Sequence, residues 1–237
     1  MRTLFVAFVC TFSAASSFSQ DDPATLQPAL AKVIAGLELK TSDDIYNGRE
    51  HIGYLHTIQG IAYYKTNQWQ KGSMIYRGVF YPDVYLKYDL VRDELIVRHY
   101  NGFQGVTLFS PRLQRFSMGD AHFIYLNSGN EPQAPATGIY QVIGGEALSL
   151  LIKRSKKIEE TVSNTQVDRK FVDQIAFYIA KDGAYHRIRK ESDVLELWKS
   201  HRSEIKSLLK AKEIKFKKNP EGALVSIIDY FNKQASH

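Results

Sequence analysis

Alternating apolar and polar residues dominate the middle of the chain, from residue 72 to residue 188. Between Val84 and Leu90, apolar side chains occupy every second position, which is typical of a half-buried strand. Similar runs follow, and turn signals separate most of them: Arg92-Asp93, Asn101-Gly102, Gly119-Asp120, Gly144-Gly145 and Asp182-Gly183. Strands joined by such tight turns pair antiparallel, because a parallel pair needs a long crossover. The pattern predicts roughly ten strands in an antiparallel meander, either an open twisted sheet or a partial barrel.

Helical periodicity marks both ends of the chain. Apolar residues between 24 and 37 fall on one helical face and predict an N-terminal helix. Apolar groups after residue 190 predict a helical tail, in which Ser192 caps the first helix and Asn219 with Pro220 begins the last. The polar stretch 156–169 is predicted to be a flexible excursion.

The expected fold class is therefore α+β, mainly an antiparallel β meander with an N-terminal helix and a C-terminal helical segment. Aromatic residues make up 12% of the chain, which favours a sheet. The predicted divisions are a signal peptide at 1–19, an N-terminal helix and irregular segment at 20–71, an antiparallel β domain at 72–188, and a basic C-terminal helical segment packed on the sheet at 189–235.

The first nineteen residues have the three parts of a secretory signal peptide. Arg2 supplies a positive charge, Leu4–Phe12 an apolar core, and Ser17 and Ser19 the small residues before a cut that leaves Gln20 first. The nine-residue apolar run is shorter than the roughly 20 residues that span a bilayer. We expect a periplasmic or otherwise exported protein without a transmembrane helix in its mature form.

The single cysteine, Cys10, lies inside this apolar core. Val9 precedes it, whereas acylation of a lipoprotein cysteine needs a small residue there, so we do not expect a lipoprotein. The predicted mature chain then has no cysteine, which excludes disulfides, thiolate metal sites and cysteine nucleophiles.

Positive charge is concentrated near the C-terminus. Of the formal net charge of +6, the stretch from His186 to Lys218 contributes +6 by itself, with eleven lysines or arginines against five acids. Such a run is either a solvated helix face or a docking surface for anionic lipid or an acidic envelope protein, with Lys206 and Lys210 as candidate binding residues. Export argues against nucleic acid as the partner.

Few patterns point to chemistry. The chain has no G-x-S-x-G elbow and no H-E-x-x-H pair, so we predict no catalytic residue, no metal and no cofactor. One strand pair crowds its charges: a two-residue turn at Arg92-Asp93 would place Lys87 directly opposite Arg98, with Asp89 diagonal to them. Either Asp89 relieves the repulsion or the two cations hold an anion. These three residues are therefore candidate binding residues.

Three ordered groups of residues carry a family resemblance. They are Asn47-Gly48, Gly72-Ser73, Tyr76, Gly78, Tyr81 and the run Val84 to Asp89; then Gly138-Ile139-Tyr140, Gly145, the run Leu150 to Arg154 and Lys157; then the run Tyr178 to Gly183 with the basic tail. Over about residues 44–232 the chain resembles a family of exported, uncharacterised proteins of Bacteroidota-type bacteria. The resemblance implies a Gram-negative envelope location and brings no catalytic residues with it.

We therefore favour a non-enzymatic envelope binding or accessory module, in which the β domain holds a ligand or partner and the basic tail docks. Two alternatives stay open: an envelope hydrolase with a spatially assembled site, and a lipid-binding half-barrel. A pocket with converging Asp, Glu or His side chains would favour the hydrolase, and a deep apolar cavity would favour lipid. A filled core with an exposed aromatic or basic patch would favour protein docking.

Overall fold

The computed structural model describes residues 43–129, 134–163 and 166–235. The chain divides into two units, and all of these residues belong to the second, Glu38–His237. The predicted signal peptide at 1–19 and the predicted helix over 24–37 lie outside the described residues.

The described residues form an α+β fold with one sheet of twelve strands. The strands are β1 (Arg49–Glu50), β2 (Ile58–Gln59), β3 (Gln70–Tyr76), β4 (Val79–Asp89), β5 (Glu94–Arg98), β6 (Gly105–Thr107), β7 (Leu113–Met118), β8 (Ala121–Leu126), β9 (Gly138–Gly144), β10 (Leu148–Val162), β11 (Val167–Lys181) and β12 (Ala184–Ile188). The helices are α1 (Glu191–Leu197), α2 (Arg202–Ala211) and α3 (Pro220–Ala235). Within the described ranges, no helix has the length and apolar character needed to cross a membrane.

The sheet is open, with β1 at one end and β12 at the other. Its strand order is β1-β6-β5-β4-β3-β7-β8-β9-β10-β11-β12, so consecutive strands are neighbours from β7 to β12. These neighbours pair antiparallel, which confirms the predicted meander in its open form. One pair differs: β2 lies parallel to β11, with Ile58 beside Arg169. These two strands are far apart in sequence, so no tight turn joins them and they are free to pair parallel.

Three hairpin turns can be compared with their predicted positions. Two of the predicted turns join strands as expected: Gly119-Asp120 places Met118 opposite Ala121, and Asp182-Gly183 places Lys181 opposite Ala184. The predicted turn at Gly144-Gly145 is displaced. Gly144 still pairs with Ser149, and the Gly145 N–H donates to the Leu148 carbonyl at 3.1 Å, so the turn falls on the two residues between them.

The described part of the stretch 156–169 is not the flexible excursion that the sequence predicted. Strands β10 and β11 pair continuously over fifteen residues each and form a long two-stranded ribbon through it. Oppositely charged side chains form ion pairs across the two strands: the Arg169 guanidinium lies 2.7 Å from the Glu160 carboxylate. Ile158 lies opposite Phe171, whose ring packs edge-on against Tyr54 at 5.2 Å between centroids. Cross-strand pairing therefore orders a segment whose polarity suggested a loop.

Two clusters of buried side chains make up the core. In the first, built on β3 to β9, the rings of Phe116 and Phe123 stack at 4.6 Å between centroids and Tyr88 packs edge-on against both. The second joins the three helices to β9–β12, and there Trp198 stacks on Phe231 at 4.9 Å. The helical segment thus packs on the sheet.

One of the two predicted helix caps is confirmed, and the other is wrong. Asn219 caps α3, because its side-chain oxygen accepts the Gly222 N–H at 2.9 Å. Ser192 does not cap α1, which begins at Glu191. The Asp193 carboxylate instead accepts the N–H groups of the two residues before the helix, at 2.8 and 3.1 Å. A charged acceptor in the first turn binds these donors more strongly than a neutral hydroxyl does.

Candidate functional site

The predicted charge cluster on β4 and β5 has a different register. Asp89 lies opposite Glu94, so the connection has four residues, and Lys87 lies opposite Ile96 instead of Arg98. The turn begins early because the Asp89 side chain takes part in it. One carboxylate oxygen accepts the N–H groups of Val91 and Arg92, at 2.9 and 3.1 Å. Asp side chains favour such local turns. A register predicted only from the spacing of turn residues leaves out these side-chain hydrogen bonds.

Asp89 is fully buried and its hydrogen bonds are internal. Besides the turn N–H groups it accepts the Tyr54 hydroxyl, and the Arg92 guanidinium lies 3.7 Å away. Burial and this bond to a carboxylate raise the pKa of Tyr54 far above its ordinary value. Asp89 therefore fastens residues 51–64 to the sheet and is not available to a ligand.

The two cations of the predicted cluster lie against aromatic rings. The Lys87 ammonium lies 4.5 Å from the centroid of the Trp69 ring and 5.2 Å from that of Tyr63, and burial lowers its pKa. The Arg98 guanidinium lies 3.9 Å from the centroid of Tyr85. Each of the two positive charges is therefore engaged in a cation–π contact. Lys87 and Arg98 share a sheet face, and each charge lies against its own ring.

Lys206 and Lys210 do come together, at a shallow groove beside α2. The helix ends in a left-handed residue, Glu213, and the Ile214 N–H returns to the Leu209 carbonyl at 2.9 Å. This Schellman-type ending folds the following chain back along the helix. The resulting groove has a volume of about 570 Å³ and is lined by Glu191, Lys206, Leu209, Lys210, Glu213, Ile214, Lys215, Phe216 and Lys217.

The lysines of this groove, named here the lysine groove, are exposed and unpaired. Among the described residues, the ammonium groups of Lys206, Lys210, Lys215 and Lys217 form no ion pair. Two acids, Glu191 and Glu213, also line the groove, so its lining has four lysines against two carboxylates. The groove keeps an excess of positive charge above an apolar floor that includes the buried side chains of Leu209 and Phe216.

A second concave site was not predicted. Turns and strand ends far apart in sequence surround a cleft of about 800 Å³. Four arginines line it: Arg49, Arg77, Arg92 and Arg112. The only sequence signal for this arginine cleft is that three of the four arginines stand at turn positions, next to Gly78, Asp93 or Pro111.

A partly buried polar network centred on Asp93 adjoins the arginine cleft. Asp93 accepts the Tyr88 hydroxyl at 2.6 Å and the Ile139 N–H at 3.2 Å, and it forms an ion pair with Lys153. Burial, together with the Asp93 carboxylate, raises the pKa of Tyr88 well above its ordinary value. Gly138 closes the network, since a side chain at that position would overlap both charged groups.

Over residues 43–129, 134–163 and 166–235, no group of three His, Cys, Asp or Glu side chains is placed to hold a metal ion. His51 is the histidine with the most constrained surroundings, because its Nε2 lies 2.7 Å from the Tyr63 hydroxyl while its Nδ1 is buried without a partner.

Comparison with known proteins gives no assignment: no family model, no curated protein and no solved structure matches this chain. The functional conclusion therefore depends on the sites themselves.

Proposed function

We propose that this protein is an exported, non-enzymatic binding module that captures an acidic segment of an envelope protein in the lysine groove. The observation that carries the proposal is the set of four exposed lysines without ion pairs around an apolar floor. A segment that alternates carboxylates with apolar side chains would match both the charge and the floor.

The shape of the site favours a protein segment over a lipid surface. A helix that binds a bilayer presents exposed apolar side chains beside its lysines. Among the described residues after 190, no large apolar side chain is exposed. The lysines instead rim a concavity, which fits an extended chain better than a flat membrane.

The filled core and the engaged carboxylates argue against the two alternatives. The aromatic cluster of Tyr88, Phe116 and Phe123 fills the space in which a lipid-binding half-barrel would hold an acyl chain. The Asp89 carboxylate accepts turn N–H groups and a tyrosine hydroxyl. The Asp93 carboxylate accepts a tyrosine hydroxyl and forms an ion pair with Lys153. A hydrolase needs such groups facing a substrate.

Export and the envelope location rest on the signal-peptide pattern and on the family resemblance, and they belong to the same proposal. They bring the lysine groove into contact with envelope proteins and exclude nucleic acid as its acidic partner.

The test is fluorescence anisotropy with a short labelled peptide that alternates aspartate and leucine. The double variant Lys206→Gln/Lys210→Gln should bind about tenfold more weakly than the wild type, because two of the four lysines are neutralised. The control variant Arg115→Gln/Lys233→Gln loses the same charge at exposed positions outside the groove and should bind like the wild type.

Two results would contradict the proposal. One is equal weakening by the groove variant and the control, which would mean that only net charge matters. The other is binding to phosphatidylglycerol vesicles without binding to the peptide, which would make the groove a membrane site. A peptide in which serine replaces leucine tests the apolar floor, and it should bind more weakly than the parent peptide.

A further inference from the structure

The ribbon of β10 and β11 has one edge that the rest of the sheet leaves unpaired. On the side of β9, pairing with β10 ends at Ile152. Farther out, the Lys156 N–H donates to the Leu90 carbonyl at 2.8 Å. From Ile158 to Val162, no described residue pairs with this side of β10. The segment from Ile158 to Val162 is named here the free edge.

The hydrogen bonds of the ribbon show which backbone groups point away from it. At its end, Ser163 and Gln166 exchange backbone hydrogen bonds of 2.9 and 3.4 Å. Bonding alternates along an antiparallel strand, so the N–H and C=O groups of Ile158, Glu160 and Val162 point outward. None of these groups has a partner among the residues that the structure describes. A row of unpaired groups in an extended strand is a template for a further strand.

Apolar side chains are exposed beside the free edge. Ile158 and Val162 point to the same face of β10, because side chains alternate along a strand, and they are 39% and 71% exposed. Val167 lies directly opposite Val162 on β11 and is 47% exposed. A further strand beside the free edge would cover part of this apolar surface, which favours pairing.

The charges of the ribbon do not repel a second copy of the chain. The stretch 156–173 has four basic and four acidic residues and is formally neutral, whereas the whole chain has a net charge of +6. Glu160 lies 2.7 Å from Arg169, and Lys157 lies 2.8 Å from Glu159. Strand β10 has no proline, and it pairs with β11 without a register shift. The free edge therefore lacks the prolines, bulges and unbalanced charges that commonly protect an edge strand from pairing.

We infer that the free edge binds a second copy of this chain, in antiparallel pairing about a two-fold axis at Glu160. A strand edge is complementary to itself under such a rotation, so one surface serves both protomers. Ile158 of one protomer lies opposite the partner's Val162, and about six backbone hydrogen bonds join the two strands. Each Glu160 carboxylate meets the partner's Glu160 at the axis, with its charge already balanced by Arg169.

Two observations place the axis at Glu160. A centre at Ile158 would bring the partner strand beside Lys156, where the Leu90 carbonyl already lies. A centre at Glu159 would set the apolar side chain of Ile158 against the carboxylate of the partner's Glu160. An axis at Glu160 is near the outer end of the ribbon, so the two sheets extend away from each other. None of the free-edge residues lines the lysine groove, so the inference does not depend on the proposed function.

The first test is sedimentation velocity of the whole protein at increasing concentration. An interface of about five residues per strand is small, so we expect a reversible dimer whose fraction rises with concentration. Val162→Lys should weaken dimerisation at least about tenfold, because it places an ammonium group against the partner's Ile158 at two symmetry-related positions. Phe103→Lys is the control. Its ring is 92% exposed between β5 and β6, so this variant adds the same charge elsewhere and should dimerise like the wild type.

The second test measures the register with cysteine variants. Glu159 and the partner's Thr161 form a non-hydrogen-bonded pair in the inferred dimer, with Cα atoms about 4.5 Å apart, which a disulfide can bridge. Glu159 and the partner's Glu159 are more than about 7 Å apart, as are the two copies of Thr161, which a disulfide cannot bridge. Oxidation of a mixture of Glu159→Cys and Thr161→Cys proteins should therefore give a covalent dimer, and neither variant alone should. The wild type, whose single cysteine is Cys10, gives the background.

Three kinds of result would overturn the inference. A chain that stays monomeric at every concentration rejects the dimer. Equal dimerisation of Val162→Lys and Phe103→Lys places the interface outside the free edge. A cysteine mixture that cross-links no more than either variant alone contradicts the antiparallel register about Glu160. Circular dichroism verifies that each variant is folded.

Discussion

The Tyr54 hydroxyl oxygen lies 2.9 and 2.8 Å from the two carboxylate oxygens of Asp89. The two residues are thirty-five positions apart, so this contact fastens the segment before β3 to the end of β4. Asp89 is fully buried, and its charge is compensated by this hydroxyl, two turn N–H groups and the guanidinium of Arg92. The contact replaces solvent for a charge that would otherwise be costly to bury.

Tyr54→Phe should destabilise the protein by about 2 kcal/mol, because it leaves a buried carboxylate without one of its donors. Urea unfolding followed by circular dichroism measures the change. Tyr230→Phe is the matched control, since the Tyr230 hydroxyl lies 3.3 Å from Glu204 in an exposed pair. Equal stabilities of the two variants would show that the Tyr54 contact contributes nothing special.

Gly138→Ala should be more destabilising than Gly78→Ala. Both glycines have positive φ angles, +150° and +77°, so alanine is strained at either position. Only at Gly138 would the added methyl group overlap the Asp93 carboxylate and the Lys153 ammonium, and Asp93 is held in place by Tyr88. Gly78 has open space around it. Thermal unfolding of both variants measures the steric part, and a Tm of Gly138→Ala at or above that of Gly78→Ala would contradict it.

Features of the fold that depend on local interactions were predictable, and those that depend on distant residues were not. The turn at Gly119-Asp120 was predictable because its register depends only on the two turn residues and the strands beside them. The turn after β4 was not, because the side chain of Asp89 starts it two residues early. The ribbon through 156–169 was missed because its stability comes from pairs across two strands, such as Glu160 with Arg169.

The same distinction holds for the sites. Lys206 and Lys210 stand one helical turn apart, so a helix alone places them on one face. The arginine cleft could not be predicted, because Arg92 and Arg112 come from two separate connections and Arg49 from β1, and only the completed sheet brings them together. The register of Lys87 and Arg98 differs from the predicted one, and their contacts with the rings of Trp69 and Tyr85 could not be predicted from the sequence.

His51 should make the stability depend on pH. Burial is the largest influence and lowers its pKa below the ordinary value of 6.5; the Asp89 carboxylate opposes this, while Arg92, Lys87 and Arg49 add to it. The unfolded chain therefore binds a proton on this histidine more readily than the folded chain does. Stability from this group is complete above the unfolded pKa and is lost as the pH falls below about 6.5.

The measurement is the free energy of unfolding in urea at pH 7.5 and pH 5.5. His51→Gln should lose less stability on acidification than the wild type, whereas the exposed His56→Gln should lose as much as the wild type. Identical pH dependence of the wild type and His51→Gln would contradict the assignment.

Thr107→Val should increase stability. The Thr107 hydroxyl is buried without a partner, and an unsatisfied buried polar group costs about 1–3 kcal/mol, whereas valine has the same shape and no such group. Thr66→Val is the contrasting variant, because the Thr66 hydroxyl oxygen accepts the Gln68 N–H at 3.1 Å and its removal should lower stability. Urea unfolding of the ligand-free protein gives both signs. A loss of stability in Thr107→Val would mean that its hydroxyl is already satisfied in the folded protein.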